Sequence, residues 1–195
     1  MNNSKSINTH VITGVGIFTA IVIVLQLLGA FIKFGPFSIS LTLIPIVVGA
    51  ALYGPWAGAW LGFVFSMVVL LSGDAGAFLV VNVFGTILTV IAKGTLAGWA
   101  AGVVFKALVK TNMWLAAICA AIACPVVNTG LFLVGCKLFF METITGWGQA
   151  MGFESVGKYM IYGLVGGNFV FELLTNIVLS PVIVRLIRIG RKEKA

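Results

Sequence analysis

Lys93 and Glu172 are charged residues set deep inside long apolar runs, and each has polar neighbours at helical spacing. At 100° per residue, Asn82, Thr86, Thr89 and Lys93 fall within about 40° of one another on a helix. Asn168, Glu172 and Asn176 recur every four residues and form a second stripe, with Thr175 beside it. Asn128 and Thr129 follow Pro125 closely and put a polar spot on a third apolar segment. An ammonium, a carboxylate, amides and hydroxyls on facing helices can bind a polar solute with several donors and acceptors. Enzyme chemistry is not expected, because no nucleophile, base and orienting group recur at usable spacing. A plainer alternative is that Lys93 and Glu172 neutralise each other while the amides tie helices together, at about 0.6 kcal/mol each. An ion pair alone does not require the further polar groups on both stripes, so a solute site open to the outside is the stronger reading.

The chain that must position these groups has 195 residues, 61% of them hydrophobic and 9% charged. Its mean hydropathy is +1.16, whereas a soluble domain carries roughly 25% charged residues. Several uncharged runs exceed the roughly 20 residues that cross a hydrocarbon core. We therefore read residues 1–195 as a single all-α integral membrane domain, a six-transmembrane-helix bundle. Its helices are expected near 11–32, 40–53, 56–72, 77–107, 112–137 and 158–187. Gly54-Pro55 divides the longest run, because proline cannot donate to a continuing helix. The first run lacks the short apolar region and A-x-A site of a secretory signal and is read as a mature helix. An even count puts both termini on one side. Lys5, Lys106, Lys110 and the cluster from Arg185 to Lys194 then share that side, against Lys33, Lys137 and Lys158 on the other. The bias predicts an N-in, C-in topology.

Depth links the polar groups. At about 1.5 Å per residue from the expected outer ends, Lys93 lies roughly 24 Å down its helix, Glu172 roughly 20 Å and Asn128 roughly 15 Å. A charge at mid-bilayer costs at least about 2.5 kcal/mol, so Lys93 and Glu172 should face the bundle interior, where all three residues could border one chamber. The outer connection 138–157 is the longest, and long loops in compact proteins are often lids. Cys119, Cys124 and Cys136 share one apolar segment without paired spacing, and His10 is the single histidine. No disulfide, metal site or cofactor is expected. The isoelectric point of about 9.6 follows from charge placed for a membrane surface, so the lipid bilayer and not nucleic acid is the expected partner.

Small residues repeat every four positions at Gly54, Gly58 and Gly62, at Gly94, Gly98 and Gly102, and at Gly16 and Ala20. Such faces let helices approach closely, and with three of them at least one could serve an external partner. The chain has no G-x-x-x-x-G-K-[ST] loop for ATP and no visible internal repeat of the kind that builds many secondary transporters. A solute-binding bundle without a motor suggests a borrowed one.

The segments "FGPFSISLTLIPIVVGAALYGPWAGAWLGFVFSMV", "CPVVNTGLFLVGCKLFF" and "GGNFVFELLTNIVLSPVIVRLI" resemble the substrate-binding S-component of energy-coupling-factor (ECF) vitamin transporters. Pro45, Gly49, Tyr53, Gly54, Pro55 and Gly58 match a pattern that several branches share. The resemblance implies a multi-pass protein of a prokaryotic plasma membrane that binds a vitamin from outside. It also implies docking on a transmembrane coupling protein driven by two cytoplasmic ATPase subunits, with Gly16 and Ala20 at the positions of the small residues on the first helix that make this contact. "NTGLF" and "NF-x-F-E" are most similar to the pantothenate-type branch. The polar stripes make Asn82, Thr86, Thr89, Lys93, Asn128, Thr129, Asn168 and Glu172 the expected substrate-binding residues, and the resemblance implies Lys93 on the carboxylate with Asn128, Thr129 and Asn168 on the rest. It further implies lids at 33–40 and in parts of 138–157. Riboflavin or another vitamin is the alternative substrate. A proton-coupled secondary transporter using Glu172, or a structural membrane protein, is the alternative class.

Overall fold

The computed structural model describes residues 9–31, 33–34, 37–38 and 41–192. Helix α1 (Thr9–Phe31) is followed by a minimal antiparallel hairpin, β1 (Lys33–Phe34) and β2 (Phe37–Ser38), paired Lys33 to Ser38 and Phe34 to Phe37. The expected lid over 33–40 falls here, and its side chains and several of its residues lie outside the described set. Then come α2 (Leu43–Tyr53), α3 (Pro55–Leu71), α4 (Gly76–Leu79), α5 (Val83–Leu108), α6 (Met113–Phe139) and α7 (Met141–Ala150). The chain ends with α8 (Val156–Lys158), a π-helical segment Tyr159–Gly166, α9 (Gly167–Val178) and α10 (Ser180–Lys192). Four stretches are long and apolar enough to span a membrane: Val11–Gly29, Val83–Leu108, Met113–Phe139 and Val156–Val178. The apolar helices α2 and α3 are shorter.

Local chemistry explains where the helices begin. Gly54, at φ +95°, turns the chain between α2 and α3, and Pro55 opens α3 at a position where a missing N–H is harmless. The helix expected over 77–107 is interrupted. Asn82 caps α5 by accepting from the Gly85 N–H at 2.8 Å, and the preceding turn leaves α4 as a separate short helix. Asn112 caps α6 in the same way, accepting from Trp114 and Leu115. The helix expected over 158–187 is likewise divided, first by π-helical turns and then between Val178 and Ser180. Within the 138–157 connection, α7 is a regular helix.

Helix α2 is the central post. Leu43, Ile46, Val47 and Val48 are fully buried among α1, α3, α5, α6 and α10. The tightest seam joins α3 to α5. A Cβ on Gly58 or Gly62 would overlap the carbonyl oxygen of Gly98 or Gly94, and one on Gly98 or Gly94 would overlap Gly58 or Ser66 in return. Ser66 Oγ hydrogen-bonds the Val90 carbonyl at 2.7 Å across this seam. Two of the three small-residue faces are therefore consumed by internal packing. The third differs, because Gly16 and Ala20 are exposed and a Cβ on Gly16 would meet nothing within 4 Å.

This contrast yields a test. Gly62→Ala should destabilise the protein by about 1–3 kcal/mol through overpacking, read as a lowered Tm in detergent. Gly16→Ala should leave the Tm unchanged. Equal Tm values for both variants would contradict the packing described.

Candidate functional site

A cavity of about 270 Å³ opens between two apolar clusters. Helix α5 lines it with Thr86, Thr89, Val90 and Lys93, and α6 with Asn128, Thr129 and Phe132. Helix α9 adds Asn168, Phe169 and Glu172, and the π-helical turns add Leu164 and Val165. Because α5 contributes its first half and α6 its second, the cavity lies toward the end of the bundle that carries α4 and α7. With α5 starting at Val83, Lys93 sits only about 15 Å along the helix rather than the roughly 24 Å expected. Over the cavity, Phe78 of α4 packs edge-on against Phe132, Phe140 and Trp147, with ring centroids 5.0–5.5 Å apart. These contacts tie α7 to the cavity wall.

The electrostatics of the site are set by what its polar atoms do not touch. Lys93 Nζ stands 5.0 Å from the centroid of the Phe132 ring, a cation–π contact. Glu172 is 4% exposed; its Oε1 accepts from Asn168 Nδ2 at 3.2 Å, and its Oε2 has no hydrogen-bond partner. Among the described residues, Glu172 and Lys93 make no direct ion pair, although both line the same cavity. Thr89 Oγ1, Asn128 Oδ1 and Asn168 Oδ1 are also buried without partners. Thr95 Oγ1 shares that condition but does not line the cavity. Leaving such a group unsatisfied costs about 1–3 kcal/mol, and here several converge on one space.

The stripes separate by role. Thr86, Thr89 and Lys93 face the cavity with Asn128, Thr129, Asn168 and Glu172. Asn82 does not, since its side chain caps α5. Thr86 lines the wall, yet its hydroxyl already donates to the Asn82 carbonyl at 2.7 Å. Asn176 is a structural group. Pro125 has no N–H for the carbonyl of Ala121, four residues earlier, and Asn176 Nδ2 donates to that carbonyl at 3.1 Å. Gln26 of α1 and Asp74 of the α3–α4 turn also line the cavity, and sequence reasoning missed both. An isolated amide in the apolar run of α1 was the available signal for Gln26.

The family model for the substrate-specific component of ECF transporters matches residues 10–187. The chain belongs to this family. No curated protein and no solved structure matches it significantly. As a substrate-specific component it is a membrane-embedded transporter subunit, not an enzyme, and works with a solute and an ECF module. The cavity with its unsatisfied polar lining is the structural feature of this component that a solute would complete.

The Pro125–Asn176 relation can be checked within the substrate-specific component. Asn176→Leu should lower stability by about 1–3 kcal/mol by orphaning the Ala121 carbonyl. Adding Pro125→Ala should recover much of the loss, because the substituted alanine supplies the missing N–H. A double-mutant cycle of Tm values with no coupling would refute the relation.

Proposed function

We propose that the cavity is the solute site of an ATP-driven micronutrient importer, and that the solute is a vitamin of the pantothenate type. The observation that carries this reading is the convergence of unpartnered buried atoms of Thr89, Asn128, Asn168 and Glu172 around an ammonium with no ion pair to Glu172. Lys93 pairs with the solute carboxylate, as a charge-assisted bond. Asn128, Thr129 and Asn168 serve its amide and hydroxyls, and Glu172 Oε2 accepts a hydroxyl. The Glu172 carboxylate and the solute's anion repel across so small a cavity, and the Lys93 ammonium that lines it offsets that repulsion.

In the same reading the helix α1 face around Gly16 and Ala20 docks on the transmembrane coupling protein, which two cytoplasmic ATPases drive. Both residues are exposed, and Ile12, Ile17 and Val24 on the same helix are more than half exposed. Six crossings follow if α2 and α3 each traverse the bilayer of a prokaryotic plasma membrane. The exposed Lys106, Lys110, Arg185 and Arg188 suit a cytoplasmic face by the positive-inside tendency.

Binding and transport should come apart by mutation. Purified protein should bind pantothenate without ATP, and Lys93→Ala should weaken binding by at least about tenfold, or about 1.4 kcal/mol. Gly16→Leu with Ala20→Leu should retain binding while uptake with the ECF module is lost. Uptake by the lone protein in liposomes without ATP, or undiminished binding by Lys93→Ala, would overturn the proposal.

A further inference from the structure

Helix α9 carries Asn168 and Glu172 to the cavity, and its phase is set by the π-helical turns that precede it, Tyr159–Gly166. Both ends of this stretch are anchored. At the start, Ser155 Oγ accepts from the Lys158 N–H, and buried Tyr159 packs edge-on against Phe153 with ring centroids 5.3 Å apart. At the far end, Asn176 holds the Ala121 carbonyl and Glu172 is buried. The winding in between decides which face of α9 meets the cavity. A π turn closes on the fifth residue where an α turn closes on the fourth, so it takes about one residue more per turn. Rewinding the eight residues as α-helix would turn α9 by at least about 100° relative to Tyr159 and carry Asn168 and Glu172 off the cavity wall.

One glycine admits this winding. A Cβ on Gly166 would overlap the carbonyl oxygen of Ile161, five residues earlier. In an α-helix the N–H of each residue meets the carbonyl four residues earlier, and alanine fits that geometry best of all residues. Alanine at position 166 therefore suits the α winding and not the π winding. Outside packing does little to hold the segment. Ile161 and Tyr162 are more than half exposed, and Gly166 and Gly167 border a second, largely apolar cavity of about 470 Å³ beside α6. We propose that Gly166 is a positioning residue for solute binding: by admitting the π turns it sets the phase at which Asn168 and Glu172 face the solute. This rests on the cavity being a solute site but not on the solute being pantothenate.

The test uses the purified full chain and a panel of thiamine, riboflavin, pantothenate and biotin, with the Tm recorded beside each affinity. Gly166→Ala should bind the panel member that wild type binds at least about tenfold more weakly. Gly130→Ala is the control and should bind as wild type, because Gly130 does not line the solute cavity and a Cβ there would meet nothing within 4 Å. Deleting Tyr162, whose side chain is exposed, leaves Ile161 four residues before position 166. The Gly166→Ala protein without Tyr162 can then close the same turn as α-helix, and it should recover most of the lost affinity. If Gly166→Ala alone does not fold, the deletion should restore folding and binding together. A merely structural glycine would lower the Tm, and the deletion would add a second lesion without restoring affinity. Wild-type affinity in Gly166→Ala, or no recovery on deletion, overturns the inference and spares the transport reading. Failure of every panel member to bind wild type overturns both.

Discussion

Polar atoms inside a hydrocarbon layer must find partners within the protein, because lipid tails offer none. Most of this chain obeys that constraint closely. The carbonyl left by Pro125 is taken by Asn176, Ser66 bonds the backbone of two helices, and Asn82 and Asn112 cap helix starts. Against this background the unpartnered oxygens of Thr89, Asn128, Asn168 and Glu172 stand out, and they face one cavity. Thr95 Oγ1 is also buried without a partner, but it lies away from the cavity, whereas these four converge on it.

The scaffold that keeps the cavity open is built from close contacts elsewhere. The glycine seam between α3 and α5 sets the position of Thr89 and Lys93, and Gly135 of α6 allows α6 to pack onto the Thr89 side chain. The aromatic group around Phe78 closes one end, and the apolar cluster around α2 fills the other. Close packing of these walls holds the cavity's polar atoms apart, as a preorganised site requires. The separation of Lys93 from Glu172 is the clearest instance.

Regular helical spacing made much of this legible in the sequence. Thr86, Thr89 and Lys93 share a face because α5 is unbroken there, and Asn168 and Glu172 meet because α9 is regular from Gly167. Asn82 was misleading for a physical reason: apolar Val80 and Val81 conceal the break, and the asparagine serves as a cap instead of a wall residue. Gln26 and Asp74 escaped because their bond joins residues 48 apart, and a carboxylate near a helix end reads as a loop charge. The role of Asn176 depends on a proline in another helix, which no single-helix pattern reveals. The π-helical turns before α9 gave no signal beyond a concentration of glycine.

The central claim is that the unpartnered polar groups serve a solute at the expense of the empty protein. Replacing Thr89 with valine and Asn128 with leucine together removes two of them with little change of shape. Apolar replacement of an unsatisfied group is expected to be neutral or stabilising. Thermal unfolding with and without the vitamin panel should show an apo Tm that is unchanged or raised and a ligand-induced shift that is lost. A double variant that is destabilised yet still stabilised by the same solute would contradict the account.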